Sequence, residues 1–277
     1  MSSEGTIVMM GLPGSGKSTF LAALWHQLEA AEIPTVFVAE QLQPDREYLN
    51  KIREKWLEFE EIPRTPIGIE RSALLHLRHV RTEAKFDLSI PDVAGEMFAS
   101  QWYARLIPQG YVRQLETSFG LLLFVHCRQV AQAQRLSAGT SGLAVSPTQA
   151  VEWEPRLSPT QVQLVDLLQF ALSTFERRRV MRIAILISAW DEIKERTTPA
   201  AWLEQKLPLL DQFLRANTEE LSFQIFGVSA IGGNLSDKEA LASTSSPSSR
   251  VRLHVTSEAL RDLTLPLEFL TVGERES

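Results

Sequence analysis

Cysteine is almost absent from this chain of 277 residues. Cys127 stands alone, so no internal disulfide can form, and a reducing compartment is expected. No apolar run is long enough to span a bilayer. The first apolar run starts at Thr6, which leaves no room for a signal peptide, and neither end carries a lipidation pattern. These absences lead to the expectation of a soluble, cytoplasmic protein with no membrane partner. Basic residues are not in excess: 28 Lys and Arg face 34 Asp and Glu, a net charge of −6, which argues against a nucleic-acid partner. Histidine is sparse, at 26, 76, 79, 126 and 254. His76 and His79 are three apart but lack Cys or carboxylate neighbours in sequence, so they read as sheet or surface residues rather than zinc ligands. No internal repeat is visible. The length and the apolar fraction of 44% suffice for a sizeable core.

What is present is Gly11-Leu12-Pro13-Gly14-Ser15-Gly16-Lys17-Ser18, followed by Thr19. It fits G-x-x-x-x-G-K-[ST], the phosphate-cradling P-loop. Thr6 to Met10 reads as a buried strand before it. Thr19 to Ala30 reads as a helix after it, with Phe20, Leu21, Leu24, Trp25 and Leu28 on one face. Glycine lets the backbone approach phosphate, and the helix N-terminus offers partial positive charge. Pro13, Gly14, Ser15, Gly16, Lys17, Ser18 and Thr19 are therefore the expected nucleotide-binding stretch. Lys17 would reach the β- and γ-phosphates, and Ser18 would hold Mg²⁺.

Further along, Pro34–Ala39 reads as a short strand and Asp45–Glu60 as a helix with Asp45 at its N-cap. Leu74–Val80 and Phe86–Ile90 read as antiparallel strands. The second runs into Asp92-Val93-Ala94-Gly95-Glu96. There the acid could hold Mg²⁺ and the glycine N–H could bond the γ-phosphate. Met97–Leu115 looks like helix, break, helix. Gly120–His126 is apolar throughout, as in a central parallel strand. Cys127 after it reads as a structural thiol. Residues 129–159, rich in Ser, Gly and Pro, read as a flexible insertion, and 232–249 as a flexible loop.

Thr160–Arg179 is a strong helix with Val162, Val165, Leu168, Leu172 and Phe175 on its buried side, closed by Arg177-Arg178-Arg179. Arg182–Ser188 is a buried strand ending in Ser188-Ala189-Trp190-Asp191. Thr198–Asn217 is a helix split by Pro208, and Ser222–Val228 is a strand ending in Ser229-Ala230. Arg250–Val255 is extended, and Glu258–Leu270 closes the chain as helix or packed tail. Strands and helices alternate, which implies one three-layer α/β domain over 1–277 with a mostly parallel sheet. The ligand of such a sheet sits beyond the carboxyl ends of its strands, where all four motifs fall.

These four stretches, in this order, resemble those of the small GTPases of the translation-factor-related P-loop class, to which Ras and Rab proteins belong. Asp92 to Glu96 resembles the D-x-A-G-Q switch motif, Ser188 to Asp191 the N-K-x-D guanine-reading motif, and Ser229-Ala230 the S-A-K loop over the base. The resemblance implies a GTP-binding switch with a P-loop fold, Mg²⁺ as cofactor and hydrolysis of GTP to GDP. It implies that Asp191 reads guanine, with Ser188, Trp190, Ser229 and Ala230 around the base, and that Ser18, Thr65 and Asp92 hold the metal. Lys17, Gly95 and Glu96 would serve catalysis. Thr65 matches a T-I-G element with one residue inserted, and Thr82 is the second choice. Arg64 beside Thr65 could serve as an arginine finger in cis or be a solvated loop residue.

The sequence also departs from the pattern. Ser188 and Ala189 replace Asn and Lys, Ile231 replaces the lysine of the last loop, and Glu96 replaces the glutamine. Trp190 could offer an aromatic face or belong to the core. Glu96 implies slow hydrolysis raised by a partner. The long segment before Thr65, the insertion and the Pro266–Leu270 tail are similar to the bacterial double-GTPase group, which adds a second GTPase to the protein effectors or activators a switch would meet. Two other readings stay open: an ATPase of another P-loop class, and a pseudo-GTPase scaffold.

Overall fold

The computed structural model describes residues 6–40, 45–62, 71–92, 95–132, 154–175, 180–235, 237–244 and 246–271. Among the described residues nine strands form one sheet: β1 (Thr6–Gly11), β2 (Phe37–Ala39), β3 (Arg71–His79), β4 (Lys85–Asp92), β5 (Ser118–His126), β6 (Met181–Ser188), β7 (Leu221–Ser229), β8 (Arg252–His254) and β9 (Ala259–Leu260). Their order is β2-β3-β4-β1-β5-β6-β7-β8-β9. The central run from β4 to β7 is parallel, and the two rims are antiparallel. The helices are α1 (Lys17–Ala30), α2 (Arg46–Leu57), α3 (Gly95–Ala104), α4 (Gln109–Thr117), α5 (Thr160–Thr174), α6 (Pro199–Lys206), α7 (Pro208–Ala216), α8 (Lys238–Ala242), α9 (Pro247–Arg250) and α10 (Leu265–Thr271). None of the helices among the described residues is long and apolar enough to cross a membrane.

The parallel strands are apolar on both faces because helices cover both. Ile7, Met9, Leu122, Phe124, Ala184 and Leu186 face α1, α2 and α10. Val8, Met10, Leu121, Leu123, Ile183 and Ile185 face α3 to α7. The two sets alternate along each strand, as the two-residue repeat of a strand requires.

Helix α1 is buried from Phe20 to Gln27, more than one face. The sheet covers one side and the segment before α10 covers another. The Gln27 side chain is fully buried and satisfies that segment twice: its Nε2 donates to the Arg261 carbonyl at 2.8 Å, and its Oε1 accepts from the Leu263 N–H at 3.0 Å.

Several expectations need revision. Helix α5 ends at Thr174, before the three arginines, which lie outside the described residues. Of its expected buried side, Leu168 and Phe175 are buried and Val165 and Leu172 pack half-buried against the same core; the stripe is wider than expected and takes in Leu164, Leu167 and Ala171, because helices α3, α4 and α7 claim a wider arc than the sheet alone. The 232–249 stretch is not all loop, since it carries α8 and α9. The closing helix starts only at Leu265. Asp45 does hold the N-cap position of α2, its carbonyl accepting the Leu49 N–H at 3.0 Å, but its carboxylate makes no capping bond and instead accepts the Leu74 N–H of β3 at 2.8 Å. Pro208 does split the expected helix, into α6 and α7. Most of the insertion, 133–153, lies outside the described residues.

The Gln27 contact carries a stability prediction. Gln27→Leu keeps the volume but leaves the Arg261 carbonyl and Leu263 N–H unpaired inside the protein. At about 1–3 kcal/mol for each unmade bond, urea denaturation should show a loss of about 2–4 kcal/mol.

Candidate functional site

The loop between β1 and α1 turns on two glycines with left-handed backbone, Gly14 (φ +72°) and Gly16 (φ +91°). Gly16 also has a neighbour: a Cβ there would lie 2.8 Å from the Ser188 side chain. Both strain and contact therefore demand glycine. Lys17 opens α1 and curls back over the loop. Its Nζ donates to the Gly11 carbonyl at 2.7 Å, the Leu12 carbonyl at 3.0 Å and Ser15 Oγ at 3.1 Å. Phe98 of α3 lies beneath the ammonium, with its ring centroid 5.6 Å away. Ser18 and Thr19 follow on the first turn, half-buried.

The loop is joined to the far side of the site by Ser188 at the end of β6. Its hydroxyl is buried and donates to the Ser15 carbonyl at 2.8 Å. Ala189 takes left-handed backbone (φ 54°) and starts a single 3-10 turn, Trp190–Glu192. That turn sends Trp190 and Asp191 opposite ways. Trp190 goes inward: it is 7% exposed and packs flush on Gly227, where a Cβ would come 2.4 Å from the indole. Its indole is thus a core residue and is not placed to lie against a base, which corrects the expectation of a base contact. Asp191 stays exposed, and its carboxylate accepts from Ser229 Oγ at 2.5 Å. Next to Ser229, the Ala230 carbonyl accepts from Trp56 Nε1 of α2 at 2.9 Å.

A cavity of about 160 Å³ lies between these parts. Gly14, Gly16 and Thr19 line its phosphate-loop side; Ser188, Ala189, Asp191, Ala230 and Ile231 line the other. The structure thus brings the P-loop, the Ser188–Asp191 stretch and Ser229-Ala230 together around one space.

Asp92 ends β4. Continuing the Val8↔Ser89 register brings it level with Gly11 at the start of the loop. Gly95 and Glu96 open α3; the side chains of Asp92 and Glu96 lie outside the described residues, as do Val93, Ala94, Arg64 and Thr65. Thr82 is excluded as a metal ligand. It sits in the β3–β4 hairpin turn, at the other end of an eight-residue strand from Asp92, about 25 Å away. His76 and His79 lie in β3 as expected; His76 Nδ1 meets Asp87 of β4 at 2.7 Å. Among the described residues no cluster of three or more His, Cys, Asp or Glu could hold a metal by itself. A serine hydroxyl and an aspartate are hard oxygen donors, the type that Mg²⁺ takes alongside phosphate oxygens.

A family model for Double-GTPase 1 matches residues 8–270. The chain belongs to this family. The P-loop-to-Asp191 cavity is therefore the candidate nucleotide site of a double-GTPase family member. No curated protein sequence matches it. Its fold is similar to that of a bacterial selenocysteine-specific elongation factor, EF-Sec, at 14% identity and a TM-score of 0.40; the match covers 87% of this chain and 28% of the other. It is also similar to the signal recognition particle receptor SRb-GTP/SRX complex from Chaetomium thermophilum, at 12% identity and a TM-score of 0.43, covering 87% and 97%. The double-GTPase chain thus spans little more than a quarter of the elongation factor's length.

Sequence reasoning missed His126, Glu192 and Gly233 on the cavity wall, and Trp56 behind it. His126 was within reach of the rule that ligands gather beyond strand ends. Trp56 was not, because nothing local in α2 announces a bond to residue 230. Burial lowers the His126 pKa and so favours the neutral imidazole; its Nδ1 accepts the Arg128 N–H at 3.1 Å. Arg128 in turn pairs with Glu192 at 2.8 Å.

Cys127 donates its thiol to the Ala189 carbonyl at 3.1 Å, and burial pushes its pKa up to about 11. It is a structural group of this wall. At pH 8 its thiolate fraction, and so its rate with iodoacetamide, should be on the order of a hundredfold below that of free cysteine. Denaturant should restore the free rate. Mass spectrometry of the alkylated chain checks both; rapid labelling of the folded protein would contradict the assignment.

Proposed function

We propose that the chain is a GTP-binding switch that hydrolyses GTP to GDP and phosphate with Mg²⁺. The observation that carries this reading is the single cavity joining the P-loop to Asp191 and Ala230 in a double-GTPase family member. Lys17 holds the β- and γ-phosphates; its partners include two loop carbonyls, which a phosphate oxygen can outcompete because the bond is then between opposite charges. Ser18 and Asp92 fit the metal as hard oxygen donors, and Thr65 is the third ligand proposed. The bound metal supplies charge neutralisation at the transferred phosphate. Gly95 senses the γ-phosphate through its N–H, and Glu96 orients water, with slow hydrolysis as the consequence of its charge.

Asp191 accepts N1–H and the 2-amino group of guanine. Ser229 already holds one oxygen of that carboxylate, which fixes its direction before the ligand arrives. Loss of the γ-phosphate would release the segments around Thr65 and Gly95, and a protein effector, activator or second GTPase would read their state. The lone Cys127 supports the cytoplasm as the compartment.

Titration of the purified protein with GTP and with ATP, each with Mg²⁺, tests the reading. GTP should bind more tightly. Lys17→Ala and Ser18→Asn should each weaken GTP·Mg²⁺ by at least about a hundredfold, equivalent to roughly 2.8 kcal/mol. Asp191→Asn should remove the preference for GTP over ATP. Tight binding by the P-loop variants, or equal affinity of the native protein for both nucleotides, would sink it. Release of phosphate from GTP, followed over hours, tests the hydrolytic step separately.

A further inference from the structure

The wall of the nucleotide cavity carries a side chain to which the reading above gives no task. His126 ends β5 and lies in register with Ser188 at the end of β6. Phe124 and Leu186, two residues earlier on each strand, face α1, whereas Val125 and Ile187 face the other helix layer. Strand alternation therefore turns His126 and Ser188 to the α1 side, where the phosphate loop runs. The bond from Ser188 to the Ser15 carbonyl agrees with that direction.

The His126 ring is held in one tautomer. The Arg128 backbone N–H, which can only donate, meets Nδ1 at 3.1 Å. Nδ1 must then accept, so the neutral ring carries its proton on Nε2. Burial and the Arg128 charge favour that neutral form, and Asp191 and Glu192 oppose it. Nε2 makes no hydrogen bond to another described residue.

The wall and the strand order say what that N–H would meet. Among the described residues lining the cavity, His126 is the only side chain with an N–H; the charged ones are Asp191 and Glu192, which repel phosphate, and Ala189 offers only a methyl. In the sheet, β5 lies between β1 and β6. The phosphate loop follows β1 and Asp191 follows β6, so His126 stands about one strand spacing, roughly 5 Å, from each. A nucleotide with its β- and γ-phosphates at Lys17 and its base at Asp191 passes its sugar and α-phosphate over this point. Of the two, the phosphate is the anion and the stronger acceptor.

We propose that His126 is a nucleotide-binding residue: its fixed Nε2–H donates to a non-bridging oxygen of the α-phosphate. The inference rests on the nucleotide-site reading above, but not on its choice of base. The bond is the same for every nucleoside di- or triphosphate, so His126 adds affinity without selecting a base. It also stands between the phosphate and the two carboxylates and offsets their repulsion.

The test compares His126→Phe, which keeps a ring and removes both nitrogens, with His126→Gln, whose amide returns an N–H near the place of Nε2. Affinities for GTP and ATP are measured by calorimetry with Mg²⁺. His126→Phe should weaken both by the same factor, roughly tenfold or more, the loss of a charge-assisted bond. His126→Gln should recover most of that loss. Nitrogen NMR of the native protein supplies a readout that needs no variant to fold: the His126 Nε2 proton should exchange more slowly with water once GDP is bound. Native affinity in a folded His126→Phe overturns the proposal. So does a His126→Gln no better than His126→Phe, which marks a merely structural role, or a changed GTP-to-ATP ratio, which moves the contact to the base. An Nε2 proton indifferent to bound GDP overturns it as well. Native protein that binds neither nucleotide overturns the nucleotide reading and this inference with it. Native protein that binds both equally overturns the guanine reading alone.

Discussion

The site depends on one buried hydrogen bond, from Ser188 Oγ to the Ser15 carbonyl. It fastens the loop after β1 to the end of β6, across β5. Without it, the phosphate side and the base side would be two loops on separate strands, each free to adjust alone. The contact works because Gly16 carries no side chain: the backbone can approach the serine only where a Cβ is missing. A glycine in the P-loop and a serine where an asparagine is usual thus form one unit. The serine is a departure from the N-K-x-D pattern, yet it keeps a hydroxyl where the loop needs a donor.

The other walls are fixed by longer routes. Ser229 orients Asp191, Trp56 reaches from α2 to Ala230, and Cys127 ties β5 to Ala189. Two of these bonds join the end of one strand to the loop after its neighbour, and the third joins a helix to such a loop. The sheet supplies the spacing and side chains supply the stitching. Arg250 extends the same logic one layer back, where a charge flanked by two rings holds a helix end in place. Such a charge remains ionised at neutral pH, since burial brings it down only to about 10.

Much of this was legible in the sequence, for physical reasons. The buried parallel strands announce themselves as unbroken apolar runs such as Gly120 to His126, because both faces are covered. Glycine spacing gives the phosphate loop, and Pro208 gives the break between α6 and α7. What could not be read is long-range. The stripe of α5 was read too narrowly: Leu168 and Phe175 are buried as expected, but neighbouring helices widen the buried arc to Leu164, Leu167 and Ala171. Trp190 was ambiguous because an aromatic beside Asp191 suits a base or a core equally, and Gly227, thirty-odd residues on, decides for the core. Thr82 looked usable until the hairpin placed it at the wrong end of β4. The helices in 232–249 escaped notice because Ser and Gly dominate the composition while Asp237 and Ser246 act as local caps.

The bond from Gln27 to Arg261 joins residues 234 apart in sequence. Helix α1, which follows the phosphate loop directly, therefore cannot be fully enclosed until that distant segment has been made. During synthesis its apolar side would stay open while most of the chain emerges. Closure over such a separation is slow, because the loop entropy is lost before the contact is gained. The helix that follows the phosphate loop is thus among the last parts of this domain to be finished, and until then it keeps an apolar side exposed that a chaperone could hold.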